Sequence, residues 1–168
     1  MSETAIRRYA ILTLSDKASI GEREDTSAPA LQQRMHEAGW TCAHYLVIPD
    51  DRARIEAELI RLCDDPAVAV VLTTGGTGFT DRDVTPEATL AVAERLAPGI
   101  AEAMRMRSLA ITPMAMLSRA VAAIRNRTLI VNLPGSRKGA LECLDVVLPV
   151  VAHAVELLRG VNTEHGPT

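Results

Sequence analysis

The sequence predicts an α/β fold: a single domain with a mostly parallel sheet and helices on both faces. Three observations predict it. Short unbroken apolar runs recur (YAILTL at 9–14, AVAVVL at 67–72, TLIVN at 128–132), as strands buried on both faces require. The stretches between them carry apolar residues at helical spacing. Each run ends in a polar loop, which gives the alternating strand–helix order of a parallel sheet.

The first strand, residues 9–14, runs into the loop SDKASIGERED. Asp25, Thr26 and Ser27 offer helix caps, Pro29 suits a first turn, and the helix APALQQRMHEA stops at Gly39. A strand at 42–48 ends in Pro49-Asp50-Asp51, and an amphipathic helix at 52–63 follows, with Ile55, Leu59, Ile60 and Cys63 on one face. The third strand covers 68–73, and Thr85 caps a helix that begins at Pro86. Another helix follows Pro98-Gly99 to about residue 109, after which 114–125 gives mixed signals. The strand at 128–132 leads through LPGSRKG into a helix from about Ala140. Pro149 is expected to break or bend that helix before 150–158. The tail VNTEHGPT is expected to fray. No repeat or linker divides the chain, so 1–168 is read as one domain with its core at about 8–160.

Composition narrows the function. Hydrophobic residues make up 48% of the 168 but aromatics only 2%, which leaves no stacking platform for single-stranded nucleic acid. A net charge of −3 argues against a polyanion binder. The three cysteines form no CxxC pair, and the four histidines have no tight ligand spacing. The longest apolar region, 144–158, is broken by Asp145, Pro149, His153 and Glu156, so no membrane span is expected. The first residues carry no signal-type apolar stretch, and the reading is a cytoplasmic protein.

Ligands of open α/β sheets bind beyond the carboxyl ends of strands. Four polar loops fall there: Ser15-Asp16, Pro49-Asp50-Asp51, 73–83 and 134–139. The third reads TTGGTGFTDRD, which is neither a Walker A loop nor GxGxxG. Its Gly75, Gly76 and Gly78 would still let backbone N–H groups approach phosphate oxygens. The LPGSRKG loop adds Gly135, Ser136, Arg137 and Lys138 just ahead of a helix, whose N-terminus favours anions. Asp16, Asp50 and Asp83 would repel a phosphorylated ligand unless a cation intervened, and Mg²⁺ takes one or two carboxylates plus phosphate oxygens. The residues thus point to a Mg²⁺-dependent nucleotide site.

TTGGTGF..RDVTPEAT, MLSR at 116–119 and LIVNLPGSRKGALEC at 129–143, with SDKAS and IPDD in order ahead of them, resemble the molybdopterin adenylyltransferases. That family includes the bacterial stand-alone enzyme and the G domain of gephyrin, and the likeness runs over about 8–160. The resemblance implies a homotrimer that transfers AMP from ATP to the terminal phosphate of molybdopterin and releases pyrophosphate. It implies Asp50 and Asp83 as the critical, metal-holding carboxylates. Thr73, Thr74, Gly75, Gly76, Thr77 and Gly78, with Pro134, Gly135, Ser136 and Lys138, would hold the nucleotide. Ser15, Asp16 and Ser118 would lie toward the pterin. Molybdenum insertion would fall to a separate protein. A non-catalytic molybdopterin-binding or scaffold trimer is the alternative. A nicotinamide-dependent oxidoreductase is a weaker one, disfavoured by the missing GxGxxG after the first strand.

Overall fold

The computed structural model describes residues 7–161. The N-terminal six residues and almost all of the tail expected to fray lie outside the described residues. β1 (Arg8–Leu14) leads through the short α1 (Asp16–Ser19) to α2 (Ser27–Glu37), β2 (Thr41–Ile48), α3 (Arg52–Asp64) and β3 (Val70–Thr74). Then follow α4 (Thr85–Val92), β4 (Arg95–Leu96), α5 (Pro98–Leu109) and a 3₁₀ turn (Pro113–Leu117). β5 (Ala122–Arg125), β6 (Thr128–Leu133) and α6 (Arg137–Arg159) complete the order.

The strands form one sheet in the order β2-β1-β3-β6-β5-β4. β2, β1, β3 and β6 are mutually parallel, whereas β5 pairs antiparallel with β6 and edge strand β4 antiparallel with β5. Alternation along β1 explains the layers. Tyr9 and Ile11 face a cluster with Leu31 and Met35 of α2, Met104 of α5 and Leu144 and Val147 of α6. Ala10 and Leu12 face Ile55 and Leu59 of α3 and Ala88 of α4. Among the described residues no helix is long and apolar enough to cross a membrane.

Four local expectations need correction. α6 is continuous from Arg137 to Arg159, with Ser136 as its N-cap and Pro149 inside it. Its buried stripe of Leu144, Val147, Val151 and Val155 passes on the far side from the exposed Pro149, so packing outweighs one missing backbone bond. Thr85 is not a cap but the first residue of α4; its hydroxyl donates instead to the Gly75 carbonyl at 2.9 Å. The buried face of α3 uses Leu62 rather than Ile60, which stays 36% exposed. β4 and β5 occupy segments not expected to be strands. Asn126, at φ 52°, turns the chain from β5 into β6.

Candidate active site

The carboxyl ends of β1, β2, β3 and β6 lie on one rim, and backbone bonds pin their loops together. The Asp16 N–H donates to Asp50 Oδ2 and the Asp50 N–H to Asp16 Oδ1, both at 3.0 Å. Gly75 adopts φ 103° and donates its N–H to the Leu133 carbonyl. A Cβ on Gly75 would lie 2.3 Å from the Leu14 carbonyl oxygen, and one on Gly76 would lie 2.3 Å from Thr85 Oγ1 and 3.1 Å from Asp50 Oδ1. These glycines are required by close approach of loop to loop as much as by any ligand. Thr74 donates to the Pro134 carbonyl at 2.7 Å and Ser27 to that of Gly135 at 2.8 Å, which seats the second loop against the first.

Two cavities open on this rim. A polar one of about 480 Å³ is lined by Ser15, Asp50, Thr74, Gly75, Gly76, Asp83, Gly135 and Ser136 from the expected set. Arg23, Asp25, Ser27 and Arg137 line it as well. A mainly apolar one of about 320 Å³ takes Thr77, Gly78, Ser118, Pro134 and, again, Ser136. Met104, Arg105, Ser108 and Cys143 add to its wall. Ser136 therefore stands between the two. Three expected residues line neither. Thr73 is fully buried and accepts from Asn132 Nδ2 at 3.0 Å. The Lys138 side chain is 80% exposed, with its amine 3.9 Å from Glu142. Asp16 is held by Arg82, which donates twice at 2.8 and 2.9 Å.

The chain matches a family model described as a probable molybdopterin binding domain, over residues 10–153. The chain belongs to that family. It is 45% identical over 152 residues to the molybdopterin adenylyltransferase of Helicobacter pylori J99, which covers 89% of this chain and 86% of the relative. Against the Escherichia coli K12 protein of the same name it is 42% identical over 174 residues, covering 95% and 89%. The crystal structure of the molybdopterin biosynthesis enzyme MoaB from Thermus thermophilus superposes with a TM-score of 0.86 at 48% identity, covering 91% of this chain and 96% of that one.

The electrostatics of this family member's site divide its carboxylates. Hydrogen bonds from Arg82 hold Asp16 below the ordinary carboxylate range. Burial pushes Asp50 up, and the charges of Asp16 and Asp83 add to the rise against the Asp16 N–H bond. Asp83 Oδ2 accepts from the Thr80 N–H at 2.8 Å and the Thr80 hydroxyl at 2.7 Å. Among the described residues no three Asp, Glu, His or Cys side chains are arranged to hold a metal ion. Asp50 and Asp83 line the same cavity, and Mg²⁺ takes one or two carboxylates with phosphate oxygens and water as its other ligands. Both carboxylates abut the glycine loop: a Cβ on Gly78 would come within 3.0 Å of Asp83 Oδ2, as one on Gly76 would approach Asp50.

The raised Asp50 value has a consequence for stability. An acid whose folded pKa is raised gives its full stabilising contribution below the unfolded value of 3.8 and loses it as pH rises through the folded value. Ionised Asp50 is therefore expected to weaken the fold relative to its protonated form. Asp50→Asn is expected to melt at a higher temperature than the wild type at pH 7, with the gain shrinking toward pH 4. Calorimetry at the two pH values checks this; a gain that grows on acidification would contradict it.

Sequence reasoning missed Asp25 and Arg23. Asp25 accepts from the Ser27 and Ala28 N–H groups, Thr13 and Tyr45, and so fixes the loop that brings Ser27 to Gly135. The only sequence signal for it was a generic helix-cap pattern.

Proposed function

We propose that the protein is a molybdopterin adenylyltransferase of molybdenum cofactor biosynthesis. The carrying observation is the pair Asp50 and Asp83 facing a polar cavity at the glycine loop, with an apolar cavity adjoining it at Ser136. The names of relatives at 42–45% identity support the reading. ATP phosphates would occupy the polar cavity, contacted by Gly75, Gly76, Gly135 and Ser136, with Arg23 and Arg137 as cations. Thr73 would act indirectly, through the buried Asn132. The pterin would occupy the apolar cavity against Ser118. Its terminal phosphate oxygen attacks the α-phosphorus of ATP; the bond to the β-phosphate breaks and pyrophosphate leaves. Mg²⁺ held by Asp50 and Asp83 would offset the charge that develops on the phosphates. Pyrophosphate release that requires both ATP and molybdopterin is expected. Release by neither, with both ligands bound, would favour a non-catalytic pterin-binding protein.

We also propose a cytoplasmic homotrimer that hands its product to a separate molybdenum-insertion protein. Met104 belongs to the core, but Met106, Met114 and Met116 are 73%, 64% and 65% exposed, with Ile111 and Leu117 beside them in sequence. Apolar surface of this kind marks interfaces. Light scattering is expected to give a mass near three times 18.1 kDa, and Met114→Lys is expected to weaken the trimer. A monomer at micromolar concentration would defeat the assembly, and an unaffected trimer in the variant would place its interface elsewhere.

A further inference from the structure

We propose that Arg119 is a positioning residue for adenylyl transfer, fixing the Asp83 carboxylate in one cavity and Ser118 in the wall of the other. The inference rests on the transfer reading above and adds to it a residue outside both cavity walls.

The half-buried guanidinium of Arg119 reaches three places at once. Nε donates to the Gly78 carbonyl at 2.7 Å, Nη2 to the Asp83 carbonyl at 2.5 Å, and Nη1 to the Glu87 carboxylate in the first turn of α4. Its own backbone N–H donates to the Thr77 carbonyl at 2.9 Å. The segment 78–83 is thus stapled at both ends by one side chain. Within that segment the Asp83 N–H donates to the Thr80 carbonyl, and Asp83 Oδ2 is held by Thr80. The direction of the Asp83 carboxylate follows from the staple. The neighbouring Ser118 lines the apolar cavity, and Arg105 Nη1 holds the Ala120 carbonyl at 2.7 Å on the other side of Arg119. Residues 118–120 are therefore held on both sides of Arg119, with Ser118 and Ala120 in the wall of the apolar cavity.

Stability is an incomplete reason for this arrangement, because the Arg119–Glu87 ion pair is partly exposed and screened by solvent. The planar fork of arginine serves several separate acceptors, whereas a lysine ammonium is a point charge on a flexible stem. Groups that orient a metal-binding carboxylate cost about 10–100-fold in metal affinity or activity when changed.

The test is Arg119→Lys in the full chain, with turnover, melting temperature and calorimetric binding measured together. Turnover is expected to fall about 100-fold and the affinity for ATP with Mg²⁺ about tenfold. Affinity for ATP in EDTA is expected to stay within about threefold of wild type, and the protein to remain folded at the assay temperature. Turnover and Mg²⁺-ATP affinity both within threefold of wild type would overturn the proposal. An unfolded variant would also overturn it, since Arg119 would then be a structural staple. So would an equal loss of turnover in Glu87→Gln, which loosens only the ion pair to α4. If the wild type binds both ligands and transfers nothing, the transfer reading falls, and the Mg²⁺-dependent affinity still decides whether Arg119 positions Asp83.

Discussion

Asp83→Asn is expected to lower adenylyl-transfer turnover by about 10²–10³-fold with little change in melting temperature. The size is that of removing one preorganised electrostatic group from a site where transition-state charge develops. The fold is expected to survive because asparagine keeps an acceptor for the Thr80 N–H and hydroxyl, which hold Asp83 Oδ2. The Asp83 carbonyl bond to Arg119 involves no side-chain atom of Asp83 and is unaffected. What is lost is one negative charge beside Asp50. Steady-state kinetics with Mg²⁺ and a thermal melt together make the test. Turnover near that of the wild type would remove Asp83 from the chemistry. A collapse of the melting temperature would instead assign its effect to the loop.

Gly75→Ala is expected to have the largest effect on stability. A Cβ there would lie 2.3 Å from the Leu14 carbonyl oxygen, a backbone atom at the end of β1, which is paired on both sides in the sheet. The residue also sits at φ 103°, outside the region open to L-alanine. Clash and strain together cost on the order of 3 kcal/mol or more. For a chain of this length that is a fall of about 6–12 °C in melting temperature. Gly99 provides the control: a Cβ there meets nothing within 4 Å, and its φ is not in the left-handed range. Gly99→Ala is expected to melt close to wild type. Equal losses at the two positions would show that the loop geometry around Gly75 is wrong.

Besides the half-exposed β2, read from the run at 42–48, the strands legible in the sequence are those that bury both faces, because such strands leave continuous apolar runs. β1, β3 and β6 are of this kind. β5 and β4 were not legible: four and two residues at a sheet edge leave no periodic signal. Pro149 misled because its local cost was visible in the sequence, while the buried stripe that overrides it depends on where α6 lies. The site shows the same division. The loops carrying Asp50, the glycines and Asp83 were legible as polar breaks after apolar strands, and topology brings them to one rim. Thr73 sits in the same motif, yet it is a strand residue whose hydroxyl faces the buried Asn132. Arg119 closes the MLSR motif, which by itself assigns it no role. Its bonds to Gly78 and Asp83 span 41 and 36 residues, and no local pattern encodes them.

The central claim is that this chain moves AMP from ATP onto the molybdopterin phosphate. Parallel reactions with α-labelled and γ-labelled ATP, molybdopterin and Mg²⁺ test it most directly, with products separated before counting. The account predicts α-label in a pterin-containing product that retains the adenine, and γ-label in pyrophosphate. Label confined to unreacted ATP while the protein binds both ligands, or γ-label carried onto the pterin, would contradict it.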